Sequence, residues 1–211
     1  MQQQAFVLPG QAPFSAQQTF TCGQCFRWMP QPDGSYIGIV RGIPARVREE
    51  NQQLSICTAP DSLSMWTDYF DCETDYGSIC QSFAVDDFTA KAAEFGRGIR
   101  ILKQEPWEAL CTFILSQCNN IPRITGIVQR LCGLLGTPVS FEGQTLYTFP
   151  EPAQLAALSP EERNLFYRKY YYCQPTAQMA AELCLTERAV EGRLYRLRQR
   201  LRAMLGGDFC E

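Results

Sequence analysis

Between residues 19 and 58, apolar and polar residues alternate in short runs, among them Tyr36-Ile-Gly-Ile-Val40 and Ala45-Arg-Val-Arg48. The groups Gln31-Pro-Asp-Gly34 and Glu50-Asn-Gln-Gln53 break those runs. A period of two interrupted by turn formers predicts an antiparallel meander. After Asp61 the period lengthens, with Leu63, Trp66, Tyr69 and Phe70 at helical spacing, and a further helix is expected within residues 75–95. Pro106 stands where a first helical turn tolerates it, ahead of an apolar face of Leu110, Phe113 and Ile114, so a helix is predicted over about 105–117. Pro122 opens the next helix, whose apolar face of Ile124, Ile127, Val128, Leu131 and Leu135 ends at Gly136. Residues 136–152 read as a loop-like connector. From Ser159 onward the pattern is wholly helical, with segments expected at 160–173, 176–183 and 187–205. No internal repeat or low-complexity stretch is present.

These elements give an α+β chain: an antiparallel sheet with helices, followed by an all-α three-helix segment. With 211 residues, 45% of them hydrophobic, it can bury one ample core or two modest ones. The first residues have neither a basic start nor an uninterrupted apolar core, and no stretch approaches the ~20 apolar residues of a membrane span. A cytoplasmic protein with no membrane partner is the expectation. The eleven cysteines are scattered, which fits reduced thiols. One close pair, Cys22-Gly-Gln-Cys25, has neither a second CxxC nor any histidine to complete a zinc set, so no metal and no cofactor are expected.

Charge divides the chain. Residues 1–158 carry 10 basic and 15 acidic side chains, whereas 159–211 carry 9 basic and 7 acidic. From Arg188 to Arg202 there are six arginines against one acid, Glu191, which makes that stretch a candidate phosphate-binding face.

Two motifs carry candidate chemistry in the first part: Cys22-Gly-Gln-Cys-Phe-Arg-Trp28, and the run from Pro106 through Ser116-Gln-Cys-Asn-Asn120 to Ile124. Together with Tyr69-Phe-Asp71, Asp75-Tyr76, Gly98-Ile-Arg-Ile101 and Phe149-Pro150, in this order, they make residues 15–158 resemble the N-terminal part of the 8-oxoguanine DNA glycosylase/AP lyase family of base excision repair. An enzyme of that kind extrudes the damaged base and fills the gap left behind. The resemblance implies that Gly23 offers its backbone carbonyl to the extra N–H of oxidised guanine, with Gln24 and Phe26 completing the lesion side. It also implies that Cys118, Asn119, Asn120 and Arg123 reach the gap and the orphaned cytosine. The family usually has three consecutive asparagines here; Cys118 replaces the first, a thiol in place of an amide that both donates and accepts. Other roles stay open beside these: Gly23 as a turn residue, Asn119 and Asn120 as helix-ending and helix-capping groups, Phe26 as core.

In that family a lysine within a later helix-hairpin-helix attacks the sugar, and an aspartate supports the developing charge. The lysines of this chain are Lys91, Lys103 and Lys169, and no Gly-rich hairpin follows Pro150. No catalytic residue is therefore assigned, and inactivity of the chain alone is the expectation. A further consequence is that the apolar faces of residues 105–135 must find a different cover or stay exposed.

Leu158-Ser-Pro-Glu-Glu162, Thr176-Ala-Gln-Met-Ala-Ala-Glu-Leu183 and the run from Thr186 to Leu201 resemble the C-terminal helix-turn-helix of sigma-70-type sigma factors. Met179, Ala180, Leu183, Leu185, Val190, Leu194 and Leu197 form its expected core. The resemblance implies that Thr186 caps the recognition helix and that Arg188, Glu191, Arg193 and Arg196 face DNA. Cys184 stands where the turn usually holds glycine, and Glu191 where a basic residue is common. Double-stranded DNA, damaged or promoter-like, is the expected partner, and the sigma resemblance admits RNA polymerase as well.

Three divisions follow: 1–96 as the sheet-containing glycosylase part, 97–158 as the first helices of its helical domain, and 159–211 as the helix-turn-helix. Three functions remain in view: a damaged-DNA-binding protein of bacterial base excision repair, a sigma-like transcriptional DNA-binding protein, or a non-functional chimera.

Overall fold

A computed structural model describes residues 3–9, 13–51, 53–116, 119–156, 159–172 and 174–204. The fold is α+β, and the chain forms two compact units, Met1–Ile114 and Leu115–Glu211.

The first unit is built on a five-stranded antiparallel sheet. Its strands are β1 (Gln4–Val7), β2 (Met29–Pro30), β3 (Tyr36–Val40), β4 (Ile43–Glu50) and β5 (Gln53–Thr58), in the order β1-β5-β4-β3-β2. Val40 pairs with Ile43 across a two-residue turn, Arg41-Gly42, with both φ angles positive. That turn matches the right-handed twist of the flanking strands and fixes their register. Helix α1 (Ala16–Thr21) precedes β2, and Ser15 caps it by accepting from the Gln18 amide. The meander therefore begins at residue 29 rather than 19: buried Ala16, Thr19 and Phe20 follow helical spacing, a signal too short to stand out against the alternation after it.

Helices α2 (Leu63–Tyr69), α3 (Tyr76–Phe83) and α4 (Asp87–Phe95) follow the sheet. The single helix expected in 75–95 is two, because Asp86 starts a capping box with Thr89 and so begins a new helix. The core gathers Phe20, Trp28, Trp66, Tyr69 and Phe70 against Val47, Leu54 and Ile56. Phe20 stacks on Trp28 with ring centroids 4.6 Å apart. Both buried indoles are satisfied: Trp28 Nε1 donates to the Tyr69 hydroxyl, and Trp66 Nε1 to Thr58 Oγ1, each at 3.0 Å. Trp28 lies so close to β3 that a Cβ at Gly38 would stand 2.6 Å from its ring, which makes glycine a packing requirement there.

Helix α5 (Pro106–Ser116) leads toward the second unit. That unit holds α6 (Ile121–Leu135), a hairpin of β6 (Pro138–Phe141) and β7 (Gln144–Tyr147), and helices α7 (Pro152–Ala156) and α8 (Pro160–Phe166). A π-helical turn at Tyr167–Tyr171 comes next, then α9 (Thr176–Glu182) and α10 (Glu187–Met204). The hairpin lies where a loop was expected. Its turn, Glu142-Gly143, again has two positive φ angles, and Phe141 and Leu146 are buried.

Met179, Ala180, Val190, Leu194 and Leu197 are buried as expected, with Leu183 and Leu185 packed against them. Leu131 and Leu135 of α6 join the same cluster, with Leu165 and Phe166 of α8. Compactness thus divides the chain after residue 114, whereas the sequence resemblances divide it near 158. The physical reason is that the C-terminal helices cover the apolar face of α6. The face of α5 has the other outcome: Leu110, Phe113 and Ile114 stay exposed.

Candidate nucleic-acid interface

Gly23 sits in the turn that leaves α1, half-buried, with φ +91°. An L side chain rarely adopts that conformation, so the glycine is demanded by the backbone. Cys22 beside it is exposed and Cys25 buried; burial, foremost, pushes the Cys25 thiol far above its usual range, so it stays protonated. Phe26 is 7% exposed, which leaves its ring little surface to offer a base.

Gln24 is occupied by the protein itself. Its Nε2 donates to the carbonyl of Arg100 at 2.7 Å and to that of Thr19 at 3.0 Å. Its Oε1 accepts from the Leu102 amide at 3.0 Å, and its own carbonyl accepts from Gln104 Nε2 at 2.5 Å. Nearby, Arg27 Nη1 lies 3.5 Å from Glu108 Oε2. Burial raises the Glu108 carboxyl against the pull of Arg27, which lowers it. Neither set of contacts is legible locally, because the partners stand 76 and 78 residues from Gln24 and 81 from Arg27.

In the second unit, Asn119 Nδ2 donates to the carbonyl of Leu115 at 2.8 Å. Asn120 is the N-cap of α6, its side chain accepting from the Arg123 amide at 3.0 Å. Both asparagines therefore serve as helix-end groups, and exposed Asn120 and Arg123 remain accessible from solvent. Arg123 Nη2 also donates to the carbonyl of Tyr172 at 3.2 Å. Cys118 lies outside the described residues.

Thr186 Oγ1 accepts from the Ala189 amide at 3.2 Å, a capping contact at the start of α10. Arg188, Glu191, Arg193 and Arg196 are all exposed along that helix. Arg188, Glu191 and Tyr195 line an open groove of about 590 Å³ together with Lys169 and Thr176, so its lining holds two cations and one carboxylate. Cys184 has φ +52°, the left-handed turn that glycine would take without strain. Among the described residues, no cluster of three His, Cys, Asp or Glu could hold a metal ion, and no helix is long and apolar enough to cross a membrane.

Residues 7–110 match the family model of the 8-oxoguanine DNA glycosylase N-terminal domain, and residues 152–201 that of sigma-70 region 4. The N-glycosylase/DNA lyase OGG1 of Arabidopsis thaliana is 31% identical over 157 residues, covering 68% of this chain and 42% of the plant protein. The chain thus spans less than half the length of that relative. Among solved structures, MBOgg1 in complex with a low-affinity DNA ligand superposes with a TM-score of 0.70 at 38% identity, covering 76% of this chain and 58% of that one. The Clostridium acetobutylicum 8-oxoguanine glycosylase/lyase, in complex with double-stranded DNA holding cytosine opposite 8-oxoguanine, gives 0.67 at 26% identity, over 90% of this chain and 72% of that one. Residues 7–110 thus resemble the N-terminal domain of the 8-oxoguanine DNA glycosylases in sequence, the chain is similar in fold to solved glycosylases of that kind, and residues 152–201 resemble sigma-70 region 4 in sequence.

Proposed function

We propose that this chain binds duplex DNA at an oxidised purine and does not by itself cut the base from its sugar. The observation that carries the reading is Gly23, held at positive φ in a clamped turn, within a fold shared with glycosylases solved on DNA. Such a turn can present a backbone carbonyl to the extra N–H of oxidised guanine, and a buried acceptor left unmet by ordinary guanine costs enough to discriminate. In the second unit, Asn119, Asn120 and Arg123 contact DNA on this reading, and the exposed arginines of α10 add contacts to phosphate. The functional boundary between the two parts lies near residue 158, inside the second compact unit.

The absence of turnover rests on the amines. A lysine nucleophile must shed its proton. Lys103 Nζ lies 3.1 Å from Asp71 Oδ1 and 3.2 Å from Asp68 Oδ1, and these hydrogen bonds raise its pKa, which keeps it charged. Lys91 is exposed on α4, and Lys169 Nζ donates to Thr176 Oγ1 at 3.4 Å. A second reading, a sigma-like DNA-binding protein with RNA polymerase as partner, is favoured by Arg188, Arg193 and Arg196, all exposed along α10.

Affinity for three duplexes separates the readings: one with 8-oxoguanine opposite cytosine, one undamaged and one promoter-like. Lesion preference with no borohydride-trapped adduct is the expected result. A covalent adduct overturns the inactivity, and promoter preference lost in Arg188→Ala/Arg193→Ala supports the second reading.

A further inference from the structure

The Gly23 turn is tied to a distant segment by one side chain. Gln24 places its amide between α1 and residues 100–104 and uses both ends of it: Nε2 donates to the Arg100 and Thr19 carbonyls, and Oε1 accepts from the Leu102 amide. Gln104 returns a hydrogen bond to the Gln24 carbonyl, the next carbonyl in the chain after that of Gly23. Around this clasp, Thr19 Oγ1 accepts from the Arg100 amide at 3.2 Å, and the Ser15 amide donates to the Gly98 carbonyl at 2.8 Å. The contacts are buried or partly buried, where an unmade bond is expensive.

We infer that Gln24 is a positioning residue: it touches no base, but holds the Gly23 carbonyl at the place and angle from which an oxidised purine is told from guanine. This rests on the lesion-binding reading above. The polarity of the amide is essential to it. A glutamate has the same shape and can still accept from the Leu102 amide, yet its second oxygen would face two carbonyls where the native group donates to both. Loss of the clasp frees a glycine turn with wide conformational choice. Lesion preference then falls while contacts to the DNA backbone, made elsewhere, persist.

The test uses the full chain as wild type, Gln24→Ala, Gln24→Glu and Gln104→Ala, with two readouts. One is the affinity ratio between 8-oxoguanine and undamaged duplexes. The other is site-resolved alkylation of Cys25, buried at the foot of the turn, against buried Cys132 of the second unit as control. Both Gln24 variants are expected to lower the ratio about tenfold, with affinity for undamaged duplex kept within about twofold, and to speed Cys25 alkylation selectively. Gln104→Ala, which removes only the outer arm, is expected to fall between, and remains informative should a Gln24 variant fail to fold. An unchanged ratio in variants of a lesion-preferring wild type overturns the positioning role. A wild type without lesion preference overturns the functional reading instead, and unchanged Cys25 alkylation then overturns the clasp as well.

Discussion

The backbone asks for glycine at position 23, where φ is +91°. Gly23 was readable because its neighbours form a motif, and its positive φ gives the glycine a backbone reason. Gln24 in the same motif was expected on the lesion side, yet its amide is spent on Arg100 and Leu102, 76 and 78 residues away. Nothing local announces such a bond. Asp33 is the opposite case, since its turn is written in four adjacent residues. Its carboxylate accepts from the Ser35 hydroxyl at 2.6 Å and the Ser35 amide at 3.1 Å, and pairs with Arg46 and Arg48. The Ser35 hydrogen bonds chiefly, then Arg48, lower its pKa to about 2. A carboxyl depressed on folding stabilises above its ordinary value of 3.8, and that contribution disappears as the pH falls toward about 2. Wild type is therefore expected to lose thermal stability between about pH 4 and about pH 2, and Asp33→Asn to flatten that loss. Calorimetry across that range checks it, and identical pH profiles for the two proteins would contradict it.

At the scale of elements, periodicity located the long helices and failed on short pieces. Helix α1 and the β6–β7 hairpin span so few residues that their patterns blur into the neighbouring runs. The pair α3 and α4 is informative in another way. Neither helix has a buried residue, and Phe88 and Phe95 are 81% and 80% exposed. Helices this short are marginal alone, so their ends must anchor them. Tyr76 does this for α3: its hydroxyl donates to Asp71 Oδ2 and accepts from the Ile101 amide, both at 2.9 Å, and its ring lies under Arg100. Gln18 Nε2 donates to the Phe95 carbonyl at the end of α4. Replacing the exposed rings, as in Phe88→Gln/Phe95→Gln, is expected to change unfolding free energy by less than about 0.5 kcal/mol for each site. Denaturant titration measures it, and a loss of several kcal/mol would mean that the rings are covered.

For the whole molecule, the division into Met1–Ile114 and Leu115–Glu211 has a direct consequence. The first unit owns a complete sheet and an aromatic core, so a fragment of residues 1–114 is expected to fold alone, with a cooperative thermal transition and native near-ultraviolet circular dichroism from Trp28 and Trp66. A fragment without a cooperative transition would show that this core depends on the rest of the chain. By itself the sequence determined what is encoded locally: the turns, the caps, the alternation of the sheet, the α+β class and both family resemblances, because each rests on residues close together in the chain. Only the tertiary structure decided what spans long separations. It gave α6 to the core of the C-terminal helices, left Leu110, Phe113 and Ile114 of α5 and Phe83, Phe88 and Phe95 of α3–α4 open to solvent, and committed the Gln24 amide to a clasp, since burial and hydrogen-bond partnership are properties of the packed chain.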